Sequence, residues 1–268
     1  VAESIEISKI YSVSGLLTEK EPLVKIRPFR APHHTVSVQA LTGGGRRPKP
    51  GEISLATGGI LFLDELPEFS RAALETLRQP LEDREVTVSR VEATVTYPAN
   101  FQLVAAMNPC PCGHFPDLAR CRCTEGQITR YLQKISGPLL DRIDLCVEAS
   151  PVTYGDIRGG GENEASGAIR ARVEQAREIQ KERFMEENIR CNGEMAGRHI
   201  RKYCVLGKEE ETFMEEIFEK LALSARMHDR ILKVARTTAD LAGASEIRLS
   251  DLCEAVSYVK SREKFWGN

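Results

Sequence analysis

Apolar residues along this chain form short unbroken runs in the first half and fall at helical spacing in the second. The densest run is Ile60-Leu61-Phe62-Leu63, opened by Gly58-Gly59 and closed by Asp64-Glu65-Leu66-Pro67. Four apolar residues bounded in this way predict a buried parallel strand. Residues 101–107 predict a second such strand and 143–147 a third. Residues 85–89 and 94–97 alternate with period two and predict a hairpin closed by a short turn. Near the start, Ile5, Ile10, Val13 and Leu17 fall at helical spacing, with Gly15 close to the expected end. Residues 24–33 read as extended, since Pro28 and Pro32 push their predecessors towards β geometry. Residues 43–50, Gly43-Gly44-Gly45-Arg46-Arg47-Pro48-Lys49-Pro50, read as a loop, and 69–83 as a helix that Pro80 would break.

Beyond residue 150 the pattern changes. Proline and glycine gather over 150–162, with Gly159-Gly160-Gly161 marking a linker. Helical spacing then runs over 163–187, 208–222, 224–242 and 250–264. The expected organisation is an α/β domain over 1–150, a linker over 151–162 and an all-helical domain over 163–268.

At 268 residues the chain is long enough for two cores, and 41% hydrophobic with 28% charged residues is an ordinary globular balance. A net charge of −2 means that any nucleic-acid contact must come from local patches. No apolar run reaches membrane-spanning length and none opens the chain as a signal peptide, so the expected location is cytoplasmic, with no membrane partner. Eight cysteines in such a compartment point to metal or buried thiols before disulfides.

A strand such as 60–63 delivers its following residues to the carboxyl edge of the sheet, where open α/β folds bind ligands. There Asp64 can hold Mg²⁺ through water, and Glu65 can polarise a water aimed at a γ-phosphate of ATP. That is Walker B chemistry, yet no Gly-x-x-x-x-Gly-Lys-Ser/Thr occurs in these residues. Taken alone, an Asp-Glu pair is as easily a solvated helix cap.

Several longer motifs decide between the two. They are Arg27-Pro28-Phe29-Arg30-Ala31-Pro32-His33-His34-Thr35, then Gly51-Glu52-Ile53-Ser54-Leu55-Ala56 running into the Walker B segment. Met107-Asn108-Pro109-Cys110-Pro111-Cys112-Gly113 and Gly137-Pro138-Leu139-Leu140-Asp141-Arg142-Ile143-Asp144 follow. In this order they resemble the magnesium-chelatase-like branch of AAA+ ATPases, within it the ComM (YifB) type, over nearly the whole chain. The resemblance implies an AAA+ parallel sheet between helices followed by a helical lid. It also implies a Lon-protease-like domain and a P-loop ahead of residue 1, so the P-loop strand is expected to be missing. A gapped or rearranged sheet and no useful hydrolysis by these residues alone are the corresponding expectations.

By the same resemblance Asn108 is sensor 1, Arg142 the arginine finger of a homo-oligomeric ring, usually a hexamer, and Arg226 sensor 2 at the start of a lid helix. The local alternatives are an Asn-Pro turn for Asn108 and a pair with Asp141 or Asp144 for Arg142. Arg230 and Lys233, further along the face of Arg226, read as a solvated basic stripe. The family role implied for the intact protein is ATP-driven remodelling of DNA, with branch migration as the suggested activity.

Cys110, Cys112, Cys121 and Cys123 form two Cys-x-Cys pairs, a donor set able to complete a tetrahedral Zn²⁺ site, with His114 as a substitute ligand. His33-His34 invites a metal reading that is set aside here, because neighbours on an extended segment point to opposite faces. Arg46, Arg47 and Lys49 could contact phosphates without reading sequence. Two rivals remain: the ATPase subunit of a porphyrin magnesium chelatase, which is not expected to carry the Cys-x-Cys pairs, and a non-enzymatic zinc-binding or remnant module.

Overall fold

A computed structural model describes residues 2–89, 93–150, 152, 154–158 and 164–266. The chain divides into two units, Val1–Ile143 and Asp144–Asn268.

In the first unit, helix α1 (Ala2–Ser14) ends on Gly15, whose φ of 72° suits glycine at a helix exit. Ile7 and Ile10 are its buried apolar residues, with Ser8 buried between them, while Ile5 and Val13 stay exposed. The chain then enters β1 (Phe29–Arg30), α2 (Val38–Thr42), a small ribbon of β2 (Gly43–Gly44) and β3 (Lys49–Pro50), and α3 (Glu52–Leu55). Next comes β4 (Ile60–Leu63), the strand expected from the apolar run. Gly59 leads into it because a Cβ there would lie 1.9 Å from the Pro28 carbonyl oxygen.

The helix expected over 69–83 is two, α4 (Arg71–Glu75) and α5 (Arg78–Asp83). The break falls before Pro80, which occupies the first turn of α5, where a missing N–H costs little. Strands β5 (Glu85–Ser89) and β6 (Thr94–Pro98) pair antiparallel as the alternation predicts; the turn residues 90–92 lie outside the described residues. Then follow β7 (Gln102–Ala105), α6 (Glu125–Leu132) and α7 (Gly137–Leu140).

The main sheet has the order β1-β4-β7, all parallel, with Leu63 opposite Ala105. Only one face of β4 is sealed: Leu61 and Leu63 are fully buried, whereas Ile60 and Phe62 are half-covered. On that second face Phe62 stacks on Phe29 at 6.0 Å. The expected third strand over 143–147 does not form, and Leu145 and Val147 are exposed. A strand needs a neighbour's N–H and C=O groups, and among the described residues the outer edge of β7 pairs with nothing. The fold is an AAA+ sheet between helices that lacks the P-loop strand.

The second unit is helical: α8 (Tyr154–Arg158), α9 (Ser166–Arg183), α10 (Gly197–Tyr203), α11 (Lys208–Lys220), α12 (Ala225–Leu241) and α13 (Leu249–Trp266). Helix α8 falls inside the stretch expected as linker, while the glycines at 159–161 lie outside the described residues. Helix α12 packs against α9, α10 and α13, burying Ile231, Leu232 and Ala235 among Leu252 and Val256. A buried ionic network fixes this packing. Asp240 accepts from Arg183 at 2.7 Å, Asn192 at 2.8 Å and Arg236 at 3.1 Å. No described helix is long and apolar enough to cross a membrane.

Candidate functional site

The carboxyl ends of β1, β4 and β7 open on the same edge of the sheet, because all three run parallel. Just past them lie His34, the Asp64-Glu65 pair and Asn108. The turn after β4 is tightly specified. Glu65 has left-handed backbone (φ 53°), its N–H donates to Asp64 Oδ1 at 2.9 Å, and the Leu66 N–H donates to the Ala106 carbonyl at 3.0 Å. A non-glycine residue in this conformation carries strain, and such strain gathers at functional sites.

His34, singled out in the sequence only beside His33, is a partner of Glu65. Its Nδ1 lies 3.0 Å from Glu65 Oε2, and its ring meets Phe69 edge-on at 6.4 Å. The expectation that His33 and His34 diverge fails as well: their rings lie 4.0 Å apart, because the segment turns here instead of extending. Arg30 and Glu52, from two of the longer motifs, form a two-pronged ion pair at 2.6 and 2.7 Å that ties β1 to α3 behind this edge.

Asn108 leaves the sheet two residues before Cys110 and is exposed. Gly113, in left-handed backbone at φ 78°, faces it, and a Cβ there would be in ordinary contact, 3.7 Å from Asn108 Cγ. The four cysteines gather beside it, with every pair of sulfurs within 4.8 Å. The backbone N–H groups of His114 and Arg122 pull the Cys112 thiol down to about 6. Burial and the neighbouring thiols push Cys123 up to about 12. Tyr131 of α6 is buried close by, and burial, with Glu68, Cys110 and Glu65 around it, pushes its hydroxyl up to about 12.

Arg142 follows α7. It donates to the Pro138 carbonyl at 2.6 Å and pairs with Glu82, not with Asp141 or Asp144. Asp144 instead pairs with Arg230 at 2.6 Å, so Arg230 is not part of a solvated stripe. Arg226 is exposed in the first turn of α12, which Ser224 caps by accepting the Met227 N–H at 3.2 Å. The basic tip at 45–49 hangs on the second hairpin through Tyr97, whose hydroxyl donates to the Pro48 carbonyl at 2.7 Å.

A gapped AAA+ sheet with adjacent acids at its carboxyl edge, followed by a helical unit, defines the class. Comparison with known families agrees. A model described as magnesium chelatase, subunit ChlI, matches residues 1–157, and one described as the C-terminal part of that subunit matches 163–259. The chain belongs to this magnesium chelatase family. It is 49% identical over 235 residues to the competence protein ComM of Haemophilus influenzae, covering 87% of this chain and 45% of that protein. It is 48% identical over 257 residues to YifB of Salmonella typhimurium, covering 96% of this chain and 50% of that protein. YifB of Escherichia coli is 47% identical over 233 residues, with 87% and 45% covered. The chain thus spans about half the length of the curated relatives it matches.

Proposed function

We propose that these residues are the hydrolytic edge and lid of an ATP-driven, ring-forming motor that remodels DNA. The observation that carries this reading is the convergence of Asp64, Glu65 and Asn108 on one edge of a parallel sheet. The donor set fits ATP and Mg²⁺: hard carboxylate oxygens stand on an exposed edge, with one oxygen of Asp64 already engaged by the Glu65 N–H. When bound, Mg²⁺ held through Asp64 supplies charge neutralisation on the phosphate oxygens. Glu65 orients the attacking water and takes its proton, and His34 holds that carboxylate in place. The Asn108 amide steadies the same water. Arg226 contacts phosphate from the lid, and Arg142 exchanges Glu82 for the nucleotide of a neighbouring subunit in the ring.

No P-loop motif occurs in these 268 residues, so on this reading the phosphate cradle is not supplied by them. The residues alone therefore do not turn over ATP. The Haemophilus relative is named a competence protein, and DNA is the polymer this reading assigns. The basic tip carrying Arg46, Arg47 and Lys49 supplies sequence-independent phosphate contacts.

The test is ATP turnover by the full-length protein, titrated with single-stranded and branched DNA at fixed salt. The expected result is a several-fold stimulation that weakens as salt rises. A rate indifferent to DNA at every salt concentration would contradict the motor reading and favour the porphyrin-chelatase rival.

A further inference from the structure

We propose that Cys110, Cys112, Cys121 and Cys123 form a tetrahedral Zn²⁺ site whose task is to position Asn108. The sulfurs lie 3.4, 3.8 and 3.6 Å apart for the pairs 110–112, 110–121 and 112–121. A tetrahedral Zn²⁺ with bonds of about 2.3 Å spaces its sulfurs by roughly 3.8 Å, so the cluster already has nearly the required dimensions. A disulfide would need about 2.05 Å, and all four cysteines are free. The crowding also favours a single ion over a multi-iron cluster, whose thiolates stand further apart.

Apart from short turn hydrogen bonds around Cys110 and Asp117, the loop has little to hold its shape. Between β7 and α6 it contains no helix or strand, Cys110 is its one fully buried residue, and Leu118 is 81% exposed. Loops with so little core are commonly stapled by metal. The hydrogen bonding suits thiolates: the Phe115 N–H reaches Cys110 Sγ at 3.4 Å, and the N–H groups of His114 and Arg122 reach Cys112. Four thiolates around Zn²⁺ leave two negative charges. Arg120 and Arg122, which have no carboxylate partner among the described residues, supply two positive charges beside them. His114 is then not needed as a ligand and stands with these arginines at the rim.

The staple is built against the sheet edge. The Gly113 N–H closes onto the Cys110 carbonyl at 3.0 Å, and the open side of Gly113 faces the Asn108 side chain. At the other end Cys123 passes directly into the capping box of α6, formed by Thr124 and Gln127. The metal therefore fixes a turn that lies next to the amide, and losing the metal loosens the surroundings of Asn108 while leaving Asp64 and Glu65 where they are. This assignment of a role rests on the ATPase reading above; the metal site itself does not.

The experiment measures metal content and ATP turnover of the full-length protein and of a Cys121→Ser/Cys123→Ser variant. One tightly held Zn²⁺ per chain is expected. Exchange for Co²⁺ should give the intense visible bands of tetrahedral thiolate coordination, and the variant should lose both. In the variant, nucleotide affinity should stay within about threefold while turnover drops at least tenfold, as in Asn108→Ala, and combining the two changes should add little further loss. Protein reconstituted with Zn²⁺ that retains none, or Co²⁺ protein without those bands, would overturn the site. A zinc-free variant turning over ATP at the unaltered rate would overturn the positioning role. If Asn108→Ala alone leaves turnover unchanged, the ATPase reading of that residue fails, and the metal analysis still decides the site.

Discussion

Glu65 is constrained at both its backbone and its carboxylate. Left-handed geometry sets its backbone, Asp64 takes its N–H, and His34 meets its carboxylate at 3.0 Å. A contact of this kind on a carboxylate that is more than half exposed is worth at most about 1 kcal/mol, which is about fivefold in rate. His34→Ala in the full-length protein should accordingly lower turnover by up to about fivefold without changing nucleotide affinity, read by steady-state kinetics beside a binding titration. Unchanged turnover would mean that the pair is incidental. Asp64 and Glu65 were legible because a strand ending in two acids is a local pattern. Their partner His34 was not, since the contact crosses from one strand to the next and depends on a turn at 34–35 that the neighbouring prolines disguised as extended chain. Glu82, the partner of Arg142, was hidden because the contact joins α5 to the end of α7, 60 residues apart in sequence.

At the scale of elements, local signals were read well and cooperative ones poorly. Helix α12 begins one residue after its Ser224 cap because hydroxyl capping and apolar spacing agree there. The strand at 143–147 had the right composition, but composition cannot supply a neighbour, so it remained without a ladder. Asp251 shows how much a short polar device contributes. It accepts the Arg248 N–H at 2.9 Å and its guanidinium at 2.8 and 3.0 Å, closing the start of α13. Burial opposes its charge, yet Arg248 outweighs burial and the carboxyl ends below its ordinary value. A depressed folded-state value means that the stabilisation is complete above the unfolded value of about 3.9 and is lost as pH falls through the folded one. Asp251→Asn should therefore cost about 1 kcal/mol at pH 7, and much less at pH 3. Urea melts followed by circular dichroism at the two pH values measure this. An equal loss at both would show that the carboxylate charge is not what matters.

For the whole molecule, the main sheet ends at β7. Among the described residues the outer edge of that strand pairs with nothing, the 143–147 segment forms no strand, and no P-loop motif occurs in the sequence. The class of fold was legible from the order of the motifs. How much of the site is present could only be judged once β1, β4 and β7 were seen to align their ends. Under the proposed function, Asp64, Glu65 and Asn108 would be half of a hydrolytic centre whose other half holds the phosphates.

The measurement that bears on this most directly is ATP turnover by three proteins under one set of conditions: the 268-residue chain, the full-length protein, and full-length Glu65→Gln. The account predicts no turnover by the first and clear turnover by the second. It predicts a fall of at least about a hundredfold in the third, with nucleotide affinity retained. Turnover by the 268-residue chain alone, or a Glu65→Gln protein as active as the unaltered one, would contradict it.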